Sequence, residues 1–156
     1  MSQALNRVST WAGLVVALAL GACAPLISGY SLDAYKNATT LKAETLALVD
    51  ESGEPYADHS AQVKTLTTKL NAAYEFSAGA PKNEISAQQW RLLIDPDRNL
   101  YGGFVKVWKT QSTTSEAYRT GKKKQLGQAF DYIACLEINK KEAKSCASLQ
   151  SQGEVQ

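Results

Sequence analysis

Histidine and cysteine are scarce in this chain of 156 residues, which contains one histidine and three cysteines. A structural zinc site takes about four Cys or His ligands, and a hydrolase triad needs a histidine between a nucleophile and a carboxylate. The histidine lies in Asp58-His59-Ser60, and no Gly-x-Ser-x-Gly motif accompanies it. Consecutive residues of a helix point about 100° apart, so these side chains cannot pass a proton along. The sequence therefore predicts a protein that is not an enzyme and has no metal site and no cofactor.

The sequence also lacks a hydrophobic run long enough to cross a membrane. Its longest apolar run, Trp11 to Leu20, has ten residues, whereas a spanning helix needs roughly 20. A polar start with Arg7 and no acidic residue precedes this run, and the small residues Gly21 and Ala22 follow it. This order is typical of an export signal.

The stretch Leu20-Gly21-Ala22-Cys23 closes the apolar run and resembles the lipobox of bacterial lipoproteins. The resemblance covers these four residues and their apolar context. It implies that Cys23 takes a diacylglycerol, becomes the mature amino terminus and holds the chain at a membrane by lipid. Ala24 follows, which by resemblance to Gram-negative lipoproteins favours the outer membrane, with the domain facing the periplasm. The alternative is a buried cysteine in an amino-terminal helix.

The sequence predicts four segments along the chain. Residues 1–22 form a signal peptide, residues 23–30 a lipidated tether, residues 31–150 one helical domain and residues 151–156 a frayed polar tail. The length after residue 22 suits a single domain with a modest core.

Charge is balanced overall but divided unequally along the chain. The net charge is +2, which gives no general attraction to nucleic acid. Residues 23–97 carry six Lys or Arg and ten Asp or Glu, whereas residues 98–156 carry ten and five. This division predicts acidic helices packed beside basic ones. Alternatively, the basic stretch Arg119 to Lys124 faces anionic lipid or another envelope polymer.

Two consecutive amphipathic helices are indicated in the first half. The first begins after Ser31 as N-cap and runs to about Asp50. The second starts near Tyr56 and closes at 77–81. Their predicted buried positions follow the three-four spacing of helical bundles: Ala34, Ala38, Leu41, Thr45, Leu48, Tyr56, His59, Val63, Leu66, Leu70 and Ala73. A short polar turn between them makes an αα-hairpin.

The second half predicts a short helix and a long one. Ser86 has the spacing of an N-cap with a capping box, and Asp95-Pro96 stops that helix. The long helix runs from Phe104 to Leu136 with a kink at Gly121. The predicted fold is therefore all-α: an antiparallel bundle of an αα-hairpin, a short connecting helix and a long kinked carboxy-terminal helix.

Cys135 and Cys146 remain once Cys23 is assigned to lipid. An exported chain with an even remainder favours a disulfide. Eleven residues of unbroken helix would separate the two by roughly 16 Å, which exceeds the reach of the bond. A disulfide therefore requires the helix to end near Asn139-Lys140. The alternative is a pair of buried thiols.

Two stretches suggest binding sites. Asp95 to Asn99 places oxygen ligands at alternate positions, as calcium loops do, but Leu100 and Lys106 stand where that pattern needs Gly and Glu. Tyr101-Gly102-Gly103-Phe104 starts a helix with paired glycines. These either allow close packing or leave a shallow groove, whose residues would be Trp90, Tyr101, Gly102, Gly103 and Trp108.

The function that the sequence favours is a lipid-anchored envelope lipoprotein acting as a non-enzymatic helical module. Its partners would be the membrane, through the lipid, and another envelope or surface protein, in an exclusion, immunity or assembly role. The alternative is a lipoprotein that binds a small ligand or peptidoglycan through the aromatic groove. The sequence does not indicate an oligomeric state.

Overall fold

The computed structural model describes residues 29–140 and 143–146, and the regular secondary structure of this part is entirely helical. Its α-helices are α1 (Leu32–Glu51), α2 (Tyr56–Gly79), α3 (Glu84–Ile94), α4 (Tyr101–Gln111) and α5 (Glu116–Ile138), followed by a 3-10 turn, Ala143–Cys146. Within these ranges no helix is long and apolar enough to cross a membrane. The lipobox, Cys23 and the tail 151–156 lie outside the described residues.

The αα-hairpin forms as the sequence predicts. Ser31 is the N-cap of α1, and its hydroxyl accepts a hydrogen bond from the Ala34 amide at 3.2 Å. The predicted positions Ala34, Ala38, Leu41, Thr45 and Leu48 are all buried on α1, as are Val63, Leu66, Leu70 and Ala73 on α2. The prediction is wrong for Tyr56 and His59, which are only partly buried because they lie in the first turn of α2. A continuous apolar stripe on each helix therefore drives the pairing of α1 with α2.

Helix α5 packs against the other side of α1 and runs antiparallel to it. Lys42 on α1 pairs with Asp131 on α5. Asp50 lies eight residues after Lys42 along α1, and its partner Lys123 lies eight residues before Asp131 along α5. Helix α3 packs against both α2 and α5, and α4 follows α3 along α2. The two short helices together occupy the fourth position of an antiparallel four-helix bundle.

The centre of the bundle is aromatic. Trp90, Tyr101, Phe104, Trp108 and Phe130 are each at most 1% exposed. Trp90 packs edge-on against Phe130 with ring centroids 5.9 Å apart, and Phe104 stacks on Trp108 at 5.7 Å. These wide side chains fill the space that two short helices leave beside the long ones.

Helix α3 begins earlier than predicted. Its N-cap is Asn83, and the capping-box assignment to Ser86 is wrong because Ser86 lies buried in the first turn. The predicted stop is confirmed, since the helix ends at Ile94 and Asp95 is its C-cap.

The interruption of the carboxy-terminal helix is real but was predicted at the wrong place. Gly121 lies inside α5, and the chain breaks instead between Gln111 and Glu116. Ser112 takes a positive φ of 67° and Ser115 caps α5. Two hydrogen bonds fix the break from a distance, because the Thr114 amide and hydroxyl both donate to the Ser52 carbonyl, at 2.8 and 3.0 Å.

The pairing of Cys135 with Cys146 is confirmed. Their sulfur atoms are 2.04 Å apart and their Cα atoms 5.9 Å apart. Helix α5 ends at Ile138 with Asn139 as C-cap, so the chain turns where a disulfide requires it to turn.

Candidate functional site

The aromatic residues predicted to line a surface groove lie in the core, so that prediction is wrong. Trp90, Tyr101 and Trp108 are 0–1% exposed. The polar atoms of Trp108 and Tyr101 bond within the protein: the Trp108 indole donates to the Glu54 carbonyl at 3.0 Å, and the Tyr101 hydroxyl lies 2.8 Å from that of Thr67. Burial raises the pKa of Tyr101 to about 12, so the phenol stays protonated. These rings stabilise the fold and offer no ligand surface.

Gly102 and Gly103 serve close packing, the other possibility that the sequence allows. A Cβ at Gly102 would stand 2.5 Å from the carbonyl carbon and oxygen of Asp95 and would also overlap the Ile94 carbonyl oxygen. A Cβ at Gly103 would overlap the carbonyl oxygen of Arg98. The two glycines let α4 start directly against the backbone that leaves α3.

The oxygen atoms of the loop between α3 and α4 are used by protein donors. Asp95 Oδ1 accepts from the Asp97 amide at 2.9 Å, Asp97 pairs with Lys106 at 3.1 Å, and Asn99 accepts from Lys122. Across residues 29–140 and 143–146, no group of three or more His, Cys, Asp or Glu side chains is placed to hold a metal ion.

His59 bonds to glutamates rather than to its neighbours in sequence. Its Nε2 lies 2.9 Å from Glu54 Oε2, while Nδ1 lies 3.3 Å from both Gln62 Oε1 and Glu51 Oε2. Hydrogen bonds to Glu54 and Gln62 raise the pKa of His59, and the charge of Glu51 adds to the effect. Both ring nitrogens face oxygen acceptors, which suits the charged imidazolium. The side chain links the α1–α2 turn to α2.

Lys122 is a lysine almost wholly inside the protein, at 4% exposure. Its ammonium donates to the Asn99 carbonyl at 3.1 Å, to Asn99 Oδ1 at 2.7 Å and to Gln125 Oε1 at 2.7 Å, and it lies 5.4 Å from the centroid of the Tyr118 ring. Burial lowers the pKa of this amine. All three donors are satisfied by oxygen atoms, so Lys122 fastens α5 to the α3–α4 loop.

A second buried lysine closes one end of the bundle. Lys140 lies 2.9 Å from the carboxylate of Glu137, which has no exposed surface, and it donates to Asn83 and to Ser86 Oγ at 3.2 Å. Asn83 in turn donates to the Ser77 carbonyl at 3.0 Å. This network joins the end of α5 to the end of α2 and the start of α3, which gives Ser86 its actual role.

Most of the basic side chains in the stretch 119–124 bind other residues of the protein or are buried. Lys123 pairs with Asp50 at 2.6 Å, Arg119 donates to the Thr114 carbonyl and Lys122 is buried. The hollow beside them, of about 390 Å³, has Asp50 and Glu116 on its wall as well. Between α1 and α5, the Asp50–Lys123 pair joins an acidic residue of the first half to a basic residue of the second, whereas the Lys42–Asp131 pair has the opposite sense, so these pairs do not account for the unequal charge of the two halves.

A groove between α1 and α2 is a candidate binding surface in the described part of the chain. It has a volume of about 480 Å³ and is lined by Lys36, Asn37, Thr40, Leu41, Glu44, Lys69, Ala72, Ala73 and Phe76. Leu41 and Ala73 form an apolar floor, at 5% and 3% exposure, and Phe76 stands at the rim, 45% exposed. A pair between Lys69 and Glu44 at 2.8 Å borders the floor. Apolar floor and polar border are the features of a protein-binding groove.

One end of the bundle is unusually apolar. Gly29 and the start of α1, the end of α2, the start of α3 and the end of α5 meet there, and we call it the Gly29 end; the turns 52–55 and 112–115 form the opposite, Ser52 end. In the described part of the chain the exposed large hydrophobic side chains are Tyr30, Leu32, Phe76, Ile85 and Ile138. All five belong to the Gly29 end or to the helix turn that leads to it.

Comparisons with protein-family models, curated proteins and solved structures give no match. The function must therefore be inferred from the geometry of this chain.

The sequence gives only a faint signal of the α1/α2 groove. Ala72 and Ala73 are consecutive small residues on α2, and Phe76 follows one turn later. Small residues beside an apolar one at helical spacing indicate a depression with an apolar rim. That pattern could have indicated the α1/α2 groove, whereas the aromatic residues indicated a groove that the structure does not contain.

Proposed function

We propose that this chain is a lipid-anchored lipoprotein of the bacterial envelope, held at the outer membrane through Cys23, whose periplasmic bundle binds another envelope protein and catalyses no reaction. The lipobox supports the anchor. The pairing of Cys135 with Cys146 supports an oxidising compartment. Exclusion, immunity and assembly roles all fit such a protein. The aromatic-groove alternative is dropped because its rings are buried.

The α1/α2 groove is the observation that carries the binding role. Its floor is apolar, its rim holds the half-exposed ring of Phe76, and Lys36 and the Lys69–Glu44 pair supply charge at the border. An amphipathic helix of a partner, with an apolar side chain over Leu41 and Ala73, fits this arrangement. We assign the partner's contact to this groove.

The anchor is tested by labelling cells with palmitate. The parent chain is expected to incorporate the label and Cys23→Ser to lose it, whereas Cys146→Ser, which also replaces a cysteine, keeps it. Equal labelling of the parent and Cys23→Ser would contradict the anchor.

The groove is tested by photo-crosslinking in living cells. A benzophenone amino acid at position 76 is expected to capture one defined protein. The same group at position 71, exposed and on the far side of α2, is expected to capture none. Ala72→Arg fills the groove without entering the core and should abolish the crosslink while leaving the melting temperature unchanged. Equal capture from positions 71 and 76, or capture unaffected by Ala72→Arg, would contradict the assignment.

A further inference from the structure

The Gly29 end carries an apolar surface with no partner in the described part of the chain. Tyr30 is 57% exposed, Leu32 51%, Ile85 49% and Ile138 56%. They come from the starts of α1 and α3 and from the last residue of α5. A surface assembled from three separate segments depends on the fold and is not a stray feature of one loop.

The framework beneath this surface is firmly held. Lys140, two residues after Ile138, is fixed by Glu137, Asn83 and Ser86. Ser86 directly follows Ile85, and the disulfide from Cys135 holds the end of α5. The exposed side chains therefore project from an ordered end.

The short distance along the chain between Cys23 and Gly29 indicates that a membrane is what covers this surface. Six peptide units join Cys23 to Gly29, and even fully extended they span only about 20 Å. Helix α1 then runs 20 residues away from that end, which is about 30 Å. A lipid on Cys23 would keep the Gly29 end within about 20 Å of the bilayer, whereas the Ser52 end could stand up to about 30 Å farther away.

We propose that the Gly29 end rests on the membrane surface, with Tyr30, Leu32, Ile85 and Ile138 in the interfacial layer. The inference depends on the proposed lipid anchor. It fixes the orientation of the bundle, with its helices pointing away from the bilayer. The α1/α2 groove then opens sideways, close to the membrane, where an envelope partner's juxtamembrane helix could reach it.

The charges at this end indicate an apolar contact rather than an electrostatic one. Among the described residues of this end, the exposed acidic ones are Asp33, Glu75 and Glu84, and the exposed basic ones are Lys36 and Lys82. The mixed signs of these five residues give no strong attraction to anionic headgroups. Aliphatic side chains beside a tyrosine are typical of the membrane interface. Contact should therefore form on zwitterionic lipid and resist salt.

The test measures lysine accessibility on the full-length lipidated protein in phosphatidylethanolamine–phosphatidylcholine vesicles. An amine-reactive reagent and mass spectrometry give the labelling rate at Lys36 and Lys82, at the Gly29 end, and at Lys109 and Lys124, which are exposed far from it. The Cys23→Ser chain in solution is the reference. Labelling of the first two lysines is expected to fall several-fold on vesicles and that of the last two to stay constant.

Two variants separate membrane contact from mere tethering. Ile85→Ser combined with Ile138→Ser is expected to restore most of the labelling at Lys36 and Lys82. Val107→Ser, which removes a partly exposed apolar side chain from α4 near the Ser52 end, should leave the protection in place. If the double variant stays protected, or Val107→Ser loses protection equally, the proposed contact is wrong.

The remaining outcomes distinguish this inference from the function on which it rests. Palmitate on Cys23 without protection of Lys36 and Lys82 overturns the orientation and leaves the anchor standing. Absence of palmitate overturns both. If the protection of Lys36 and Lys82 persists in detergent, the surface is covered by a second copy of the chain. If the protection needs anionic lipid or vanishes in high salt, the contact is electrostatic. Either result contradicts the proposal.

Discussion

Two glycine-to-alanine substitutions should change the free energy of unfolding in opposite directions. Gly121 is exposed inside α5, and a Cβ there would meet nothing within 4 Å. Alanine is favoured over glycine in a helix interior by about 1 kcal/mol. Gly121→Ala is therefore expected to stabilise the protein by about that amount. For a domain of this size the melting temperature should rise by roughly 3–5 °C.

Gly102→Ala should destabilise the protein despite the same chemical change. Its Cβ would stand 2.5 Å from two backbone atoms of Asp95. A backbone that caps α3 cannot rotate away as a side chain can, so α4 must shift from α3. Overpacking of this kind costs about 1–3 kcal/mol. Gly102 lies in the first turn of α4, where the gain in helix propensity is reduced, so the net effect is a loss of about 1–2 kcal/mol.

Urea and thermal unfolding of both variants, in a Cys23→Ser background without lipid, measure the two effects. The essential result is the sign. If Gly102→Ala stabilises as much as Gly121→Ala, the close approach of α4 to the end of α3 is wrong. If Gly121→Ala destabilises, the chain kinks at Gly121 as the sequence suggested, and α5 is not continuous there.

Three further predictions follow from buried, bridged and titrating side chains. Leu70→Ala should lower the free energy of unfolding by about 2–5 kcal/mol, because Leu70 has no exposed surface. The control Thr68→Ala, at an exposed position, should change it by no more than about 0.5 kcal/mol in urea unfolding. Equal losses in the two variants would refute the assignment of the buried face of α2. Cys146→Ser, or reduction of the parent protein, should lower the free energy of unfolding by roughly 3 kcal/mol, because the loop closed by the disulfide is released. A melting temperature that does not respond to a reductant would count against the disulfide. Because the pKa of His59 is raised above 6.5 in the folded protein, the stability that it contributes is complete below about pH 6.5 and is lost as pH rises through the raised value. His59→Gln should therefore destabilise the protein at about pH 5.5 and much less at about pH 9, and a cost independent of pH would exclude this role.

The hairpin was predictable because its information is local. Ser31 supplies the cap, and apolar residues at three-four spacing mark one face of α1 and of α2. Such a pattern survives in any bundle, because each helix needs only one buried stripe. The turn before Cys146 was predictable for a different reason, since a covalent bond sets a distance that no continuous helix allows.

The break between α4 and α5 was not predictable, because its cause is distant in sequence. Residues 112–115 contain neither glycine nor proline, and the turn is held by hydrogen bonds from Thr114 to Ser52, 62 residues away. Gly121 looked like the stronger breaker, yet exposed helix tolerates it at about 1 kcal/mol.

The candidate site was misplaced for a related reason. Helical spacing shows that Trp90, Tyr101 and Trp108 share faces with other apolar residues, but it cannot show whether such a face meets solvent. That depends on α3 and α4 jointly replacing one helix, which leaves space that wide rings fill. The α1/α2 groove likewise arises from the separation of two helices, a quantity that neither helix encodes alone.

The contacts between Ser52 and Thr114 bear on how the protein opens. The two hydroxyls lie 2.6 Å apart, and the Tyr56 amide donates to the Ser112 carbonyl at 2.8 Å. Each turn thus satisfies polar groups of the other, so neither can fray without exposing unpaired backbone in both. The α1–α2 and α4–α5 connections consequently open as one cooperative unit, and amide protons at the two turns should exchange with solvent at matching rates.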